Sequence, residues 1–151
     1  ILYGDGPLRR ELTEEVRSLD MSERILLPGR ITDVPEKLEK AYGFVLTSFT
    51  EGMPNTLIEA MSLGTACIST DCPCGGPKDL IRDGENGFLV PVDDSDALAD
   101  RLTKLLENPD LMQQMGKNAA KQPAKQAGKR VSAGSRADES TKEKQATQKG
   151  I

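Results

Sequence analysis

The chain has 151 residues, the size of about one domain, and its 20 basic and 24 acidic side chains give a net charge of −4. It contains no histidine, which excludes histidine base catalysis and histidine-ligated metals within these residues. No apolar run is long enough to span a membrane, no signal-peptide pattern is present, and the three cysteines fit reduced thiols. We therefore expect a cytoplasmic protein.

Charge and apolar residues are unevenly distributed. Residues 113–151 carry 9 basic and 3 acidic side chains, whereas the remainder carries 11 and 21. The acidic part does not look like a general nucleic-acid binder. Large apolar residues nearly vanish after Met115, so we predict a domain over 1–115 and a polar tail over 116–151 that is weakly ordered or a partner-dependent helix. Because the chain opens directly on an apolar run, we expect a domain that is incomplete at its N-terminal edge.

Short apolar runs alternate with helical patterns along the chain. Strands are predicted at residues 1–3, 25–27, 44–47, 66–69 and 87–90. Helices are predicted from Pro7 to about Leu19, after Asp33, over 55–63 and 77–81, and around Leu98 to Leu106. This alternation predicts an α/β fold with a doubly wound parallel sheet, in which ligands bind outside the carboxyl ends of the strands.

One junction between a strand and a helix carries the chemistry. Glu51 follows the strand at 44–47, and Glu59 lies eight positions later, about one turn into the helix that Asn55 opens. The first amides of a helix lack internal partners and favour an anion. This segment therefore predicts a phosphate at the helix start with one carboxylate on each side, placed to accept sugar hydroxyls.

Ordered motifs along residues 1–116 carry a family resemblance. They lie at 4–9, 27–30, 33–35, 51–59, 63–71 and 83–91. Together they resemble the retaining, nucleotide-sugar-dependent glycosyltransferases of the two-Rossmann-domain (GT-B) architecture, the "family four" group, also called glycosyl transferases group 1. The resemblance implies a Rossmann-like fold and the C-terminal, donor-binding half of such an enzyme.

The resemblance also assigns roles to the two carboxylates. Glu59 would accept hydrogen bonds from the ribose hydroxyls of the nucleotide, and Glu51 would be the catalytic carboxylate, easing positive charge at the anomeric carbon of the donor sugar. The alternatives are a solvated helix glutamate for Glu59 and a glutamate facing water at a strand end for Glu51.

Further donor-binding residues are implied around the same junction. They are Gly52, Met53, Asn55, Thr56 and Leu57, of which Thr56 and Leu57 would give amides to the distal phosphate. A plain helix cap by Asn55 is the competing interpretation. Arg30 and Ile31 would meet the nucleobase, unless they form a simple loop between a strand and a helix.

Three other motifs have more ordinary interpretations. Gly4-x-Gly6 begins a dinucleotide-like pattern, but Arg9 occupies the position of the third glycine. Asp94-Ser95-Asp96 is interpreted as a helix start, where acids suit the dipole, and not as a metal motif. Cys72-Pro73-Cys74 has the wrong spacing for zinc and is expected to shape a loop.

The resemblance implies transfer of a hexose or N-acetylhexosamine, with UDP favoured as the carrier, to a glycan or lipid-linked acceptor. It implies no metal and no cofactor, an acceptor domain elsewhere in the protein as partner, and peripheral membrane association of the full-length enzyme. Nucleic acid is not an expected partner, and these residues alone are expected to be inactive. An ADP-glucose-type synthase and a non-catalytic nucleotide-sugar-binding scaffold remain as alternatives.

Overall fold

The computed structural model describes residues 1–121. These residues divide into two compact units, one over Ile1–Lys37 and the other beginning at Leu38. The first unit holds α1 (Arg9–Ser18), and α2 (Val34–Glu39) spans the division. The elements of the second unit are β1 (Gly43–Leu46), α3 (Asn55–Ser62), β2 (Ala66–Thr70), α4 (Gly76–Leu80), β3 (Phe88–Val90), α5 (Ser95–Glu107) and α6 (Pro109–Ala120).

In the first unit, the two predicted strands are absent. Residues 1–3 and 25–29 run side by side, with the Leu2 amide donating to the Leu26 carbonyl at 2.8 Å, but they form only one isolated parallel bridge, between Tyr3 and Gly29. The prediction of strands at 1–3 and 25–27 was therefore wrong. A strand needs a continuous ladder of partners, and a short apolar run does not by itself supply one.

The helix predicted after Pro7 is confirmed as α1, which begins at Arg9. Its expected apolar face is only partly used. Val16 is buried, whereas Leu8, Leu12 and Leu19 are exposed. Arg9 donates to the Leu27 carbonyl at 3.1 Å and lies near the Asp5 carboxylate at 3.5 Å, which ties the start of α1 to the segment before α2.

The second unit contains a three-stranded parallel sheet in the order β1-β2-β3. Phe44 pairs with Cys67 on one side of β2, and Ile68 pairs with Phe88 on the other. All five residues of β2 are buried because the strand is paired on both edges and covered on both faces. The predicted parallel, Rossmann-like α/β fold is confirmed for this unit.

Helices pack on the sheet and close its core. The apolar cluster consists of Ala66, Ile68, Phe88, Val90, Leu105 and Met115, with α5 and α6 contributing further side chains at its margin. On the α3 side, Leu57, Ala60 and Met61 are fully buried. Burial also raises the pKa of the Cys67 thiol to about 12, so this thiol remains neutral and inert at ordinary pH.

Helix α6 was missing from the sequence interpretation. It crosses the predicted boundary at Met115 and continues to Ala120, with Gly116 and Ala119 buried. A Cβ on Gly116 would overlap the Gly64 carbonyl, so this glycine lets α6 approach the end of α3 closely. The rest of the predicted tail, residues 122–151, lies outside the described residues. Within residues 1–121, no helix combines the length and apolarity needed to cross a bilayer.

Candidate functional site

The start of α3 lies directly after the carboxyl end of β1 and its loop. Pro54 occupies the N-cap in an extended conformation, and no side chain caps the helix. Leu57 already donates its amide to the Pro54 carbonyl at 3.1 Å. Among the described residues, no backbone or side-chain acceptor takes the amides of Asn55 and Thr56. The free donors are thus Asn55 and Thr56, one residue earlier than the expected pair of Thr56 and Leu57.

The absence of a side-chain cap also corrects the alternative role of Asn55. This residue is the first helical position and not the cap, so its side chain does not close the helix start. Proline is suited to the preceding position because it has no amide of its own to satisfy. The helix therefore begins with unsatisfied, exposed donors, which is the arrangement that attracts an anion.

Glu59 lies on the exposed side of α3. It is three residues after Thr56, a spacing that puts both on one helix face, while Leu57 and Ala60 on either side of that face are buried. Within residues 1–121, its carboxylate has no hydrogen bond or ion pair. A charged group held beside free amides on a rigid helix is available to a ligand.

Glu51 is held differently. It is half-buried, and its Oε1 accepts a hydrogen bond from the Ser48 hydroxyl at 2.7 Å. Ser48 is itself anchored, because the Thr70 hydroxyl donates to the Ser48 carbonyl at 2.6 Å. The carboxylate at the end of β1 is therefore connected to the end of the central strand β2.

The loop around Glu51 is also packed from the other side. A Cβ on Gly76 would overlap the Gly52 carbonyl and lie 3.1 Å from the Glu51 carbonyl, so the start of α4 rests directly on this loop. Gly52 itself has open space where a Cβ would stand, and neighbouring Met53 is exposed. One side of the loop is thus packed against α4, whereas Gly52 and Met53 remain accessible on the other side.

Sequence reasoning missed Ser48, Thr70 and Gly76. A serine three residues before a glutamate is a spacing at which the two side chains of a loop can meet, so Ser48 carried a readable signal. Thr70 and Gly76 carried none, because they reach the loop through pairing and packing across 22 and 24 residues of chain.

Arg30 and Ile31, the predicted nucleobase contacts, lie in the first unit. Both follow Gly29, which is buried and adopts a φ of 92°, so the chain turns at the predicted point. The guanidinium-bearing Arg30 is exposed and Ile31 is half-buried. Their role as nucleobase contacts remains a prediction.

A cation is fixed at the carboxyl end of β2. Lys78 of α4 donates to the Asp71 carboxylate at 2.8 Å, and this hydrogen bond with its ionic attraction raises the pKa of Lys78. Both side chains are accessible to water, so the pair contributes little to stability. Lys78 therefore places a positive charge beside Asp71 at the carboxyl end of β2.

The motif at 94–96 starts a helix, as predicted. Asp94 caps α5 by accepting the Ala97 amide at 2.9 Å. Cys72 and Cys74 are free thiols, and residues 1–121 contain no group of three potential ligands that could hold a metal. An open cavity of about 480 Å³ lies between residues 82–86 and α6, and neither Glu51 nor Glu59 lines it.

Comparisons with known proteins give the family and the fold of this chain. Residues 1–122 match the family described as glycosyl transferases group 1. A relative from Campylobacter jejuni, GalNAc-alpha-(1->4)-GalNAc-alpha-(1->3)-diNAcBac-PP-undecaprenol alpha-1,4-N-acetyl-D-galactosaminyltransferase, is 39% identical over 79% of this chain and 32% of its own length. The curated relatives that this chain matches are much longer, and it spans 32% and 31% of the length of two of them.

Solved structures show the same fold. A mutant of S. aureus TarM, crystallised with fondaparinux, alpha-GlcNAc-glycerol and UDP, superposes with a TM-score of 0.75 at 28% identity, over 80% of this chain and 24% of TarM. The C-terminal domain of the group 1 glycosyl transferase LpcC from Francisella tularensis gives a TM-score of 0.71 at 26% identity, over 78% and 61% of the two chains. The family match covers most of the chain and the fold agrees with it, so this chain belongs to the glycosyl transferases group 1 family.

Proposed function

We propose that this chain is the donor-binding part of a retaining glycosyltransferase that takes a UDP-linked hexose or N-acetylhexosamine and transfers the sugar to a glycan or lipid-linked acceptor in the cytoplasm. The observation that carries the proposal is the start of α3, where the amides of Asn55 and Thr56 have no partner among the described residues and stand between Glu51 and Glu59 in the sequence. UDP is present in the TarM complex, and the Campylobacter relative is named for a lipid-linked glycan acceptor.

Each part of the site has a distinct task in this proposal. The amides of Asn55 and Thr56 bind the distal phosphate, because helix-start donors and the helix dipole favour negative charge. Glu59, one turn along the same face, accepts the vicinal hydroxyls of the ribose with charge-assisted bonds. Leu57 supports the turn through its buried side chain and its bond to Pro54.

Glu51 acts at the sugar. The bond between the anomeric carbon and the departing phosphate breaks, the acceptor oxygen bonds to the same face of that carbon, and the departing phosphate oxygen takes the acceptor proton. Positive charge develops at the anomeric carbon, and the Glu51 carboxylate stabilises it. The open space beside Gly52 and the exposed Met53 leave room for the sugar ring.

The proposal includes no metal ion and no cofactor. Helix-start amides and basic side chains of the full protein neutralise the diphosphate instead. The acceptor binds to another part of the same protein, so residues 1–151 alone transfer no sugar and hold the donor only weakly. We further propose that the full-length enzyme works at the membrane periphery, where a lipid-linked acceptor is available.

Calorimetric titration with UDP tests the donor site. We expect saturable binding that Glu59→Ala weakens at least about tenfold, since a carboxylate accepting two hydroxyls contributes more than one charge-assisted hydrogen bond. The matched control is Glu107→Ala, which removes another exposed helix glutamate, at the end of α5, and should bind UDP normally.

Parallel titrations with ADP and GDP examine the nucleotide. A preference for ADP would replace the UDP-sugar assignment with an ADP-glucose-type synthase. Tight UDP binding that Glu59→Ala leaves unchanged would contradict the ribose assignment and favour a non-catalytic binding module.

A further inference from the structure

Two hydroxyl groups that the proposed function does not use hold the Glu51 carboxylate in place. The Ser48 hydroxyl donates to Glu51 Oε1 at 2.7 Å, within the short range of a hydrogen bond to a charged acceptor. The Thr70 hydroxyl donates to the Ser48 carbonyl at 2.6 Å, and Thr70 is only 4% exposed. Ser48 is therefore fixed through both its backbone and its side chain.

This arrangement leaves one carboxylate oxygen for a ligand. Among the described residues, Ser48 is the hydrogen-bond partner of the Glu51 side chain, and it occupies Oε1 alone. A glutamate side chain has three rotatable bonds, and a bond at one oxygen restricts the direction in which the other oxygen points. Both residues are half-buried, so water competes less for the bond than it would at an open surface.

We propose that Ser48 is a positioning residue for the donor sugar, which orients Glu51 so that Oε2 meets a sugar hydroxyl, and that Thr70 anchors Ser48 in turn. The inference rests on the proposed role of Glu51 at the sugar. It predicts that different residues affect the two parts of the donor. Ser48 affects binding of the sugar, whereas Glu59 and the helix-start amides affect binding of the nucleotide.

The test compares UDP with UDP-sugars on the protein expressed from its complete gene. Calorimetry gives the dissociation constants for UDP, UDP-glucose, UDP-galactose, UDP-GlcNAc and UDP-GalNAc, and the tightest sugar nucleotide is carried forward. We expect Ser48→Ala to leave the affinity for UDP within about twofold. The affinity that the sugar adds over UDP alone should fall about five- to tenfold, as expected for losing one hydrogen bond to a charged group. Ser48→Thr, which keeps the hydroxyl, should retain the added affinity.

A matched control lies in the same loop. Thr50 is exposed, and within residues 1–121 its hydroxyl has no hydrogen bond, so Thr50→Ala should change neither affinity. Should Ser48→Ala fail to fold, Ser48→Cys keeps a similar volume with a weak donor and should show the same selective loss.

The outcomes separate the inference from the proposed function. If Ser48→Ala weakened the binding of UDP and of the UDP-sugar equally, Ser48 would only stabilise the loop. That result would overturn the inference and leave the proposed donor site intact. The same holds if Ser48→Ala changes nothing, or if no sugar adds affinity over UDP. Absence of UDP binding by the unmutated protein would contradict the proposed function, and the inference would fail with it.

Discussion

The two units of this chain carry similar apolar patterns with very different results. In the second unit, the patterns at 43–46, 66–70 and 88–90 become strands that pair continuously, and the central strand is buried throughout. In the first unit, the runs at 1–3 and 25–27 share a single bridge, and Ile1 and Leu2 remain 67% and 52% exposed. A strand is thus a property of its partners as much as of its own sequence.

The largest expected effect on stability comes from a substitution in the core of the second unit, compared with an exposed apolar position in the first. Phe88 is 1% exposed in the second unit, and the Arg101 guanidinium lies 4.7 Å from its ring centre. Phe88→Ala should lower the free energy of unfolding by about 3–5 kcal/mol, because it removes a large buried ring and leaves a cavity. Urea unfolding followed by circular dichroism measures this loss.

The control for that comparison is Leu19→Ala in the first unit, where the side chain is 59% exposed. Its effect should stay within about 0.5 kcal/mol, as for other exposed positions. Equal losses in the two variants would mean that the apolar residues of the first unit are buried in solution, and the contrast between the units would disappear.

A smaller effect is expected where α4 rests on the loop around Glu51. Gly76→Ala should destabilise by about 1–3 kcal/mol, because the added methyl group overlaps the Gly52 carbonyl and the backbone must shift. Gly52→Ala should be nearly neutral in urea unfolding, because a Cβ at this position has no atom within 4 Å. An unchanged midpoint for Gly76→Ala would contradict a close contact between the start of α4 and the Gly52 carbonyl.

The smallest effect concerns helix starts, where a capped helix of the second unit contrasts with an uncapped helix of the first. In the second unit Asp94 caps α5, whereas α1 in the first unit has Leu8 at its N-cap and no side-chain cap. Asp94→Ala should cost about 1 kcal/mol in thermal or urea unfolding, since it removes the acceptor for the Ala97 amide. Asp100→Ala, an exposed substitution within the same helix, should have no comparable effect, and equal losses would argue against capping.

The sequence predicted most of the second unit because local and long-range signals agree there. Asn55 and Gly64 mark the two ends of α3, and Gly64 adopts the positive φ of 77° typical of a helix stop. Helix α6 was missed because its buried face depends on Met115, Gly116 and Ala119, of which two are small residues with weak apolar signals. The close approach of Gly116 to Gly64 is visible only in three dimensions.

The candidate site divides in the same way. The start of α3 between Glu51 and Glu59 was predicted from the sequence, and the roles of the two glutamates remain predictions. The free amides shifted by one residue because Leu57 bonds to Pro54, a detail of the first turn that no residue type dictates. Thr70 and Gly76 reach the loop through tertiary contacts, so they could not be read from the sequence.

An amide-resolved NMR titration with UDP locates the nucleotide on the protein most directly. We expect the largest early shifts at Asn55 and Thr56, with Glu59 following on the same helix face. Amides around the 480 Å³ cavity, such as those of Asn86 and Asn118, should move little. Shifts concentrated at that cavity, with α3 unchanged, would contradict the assignment of the donor site.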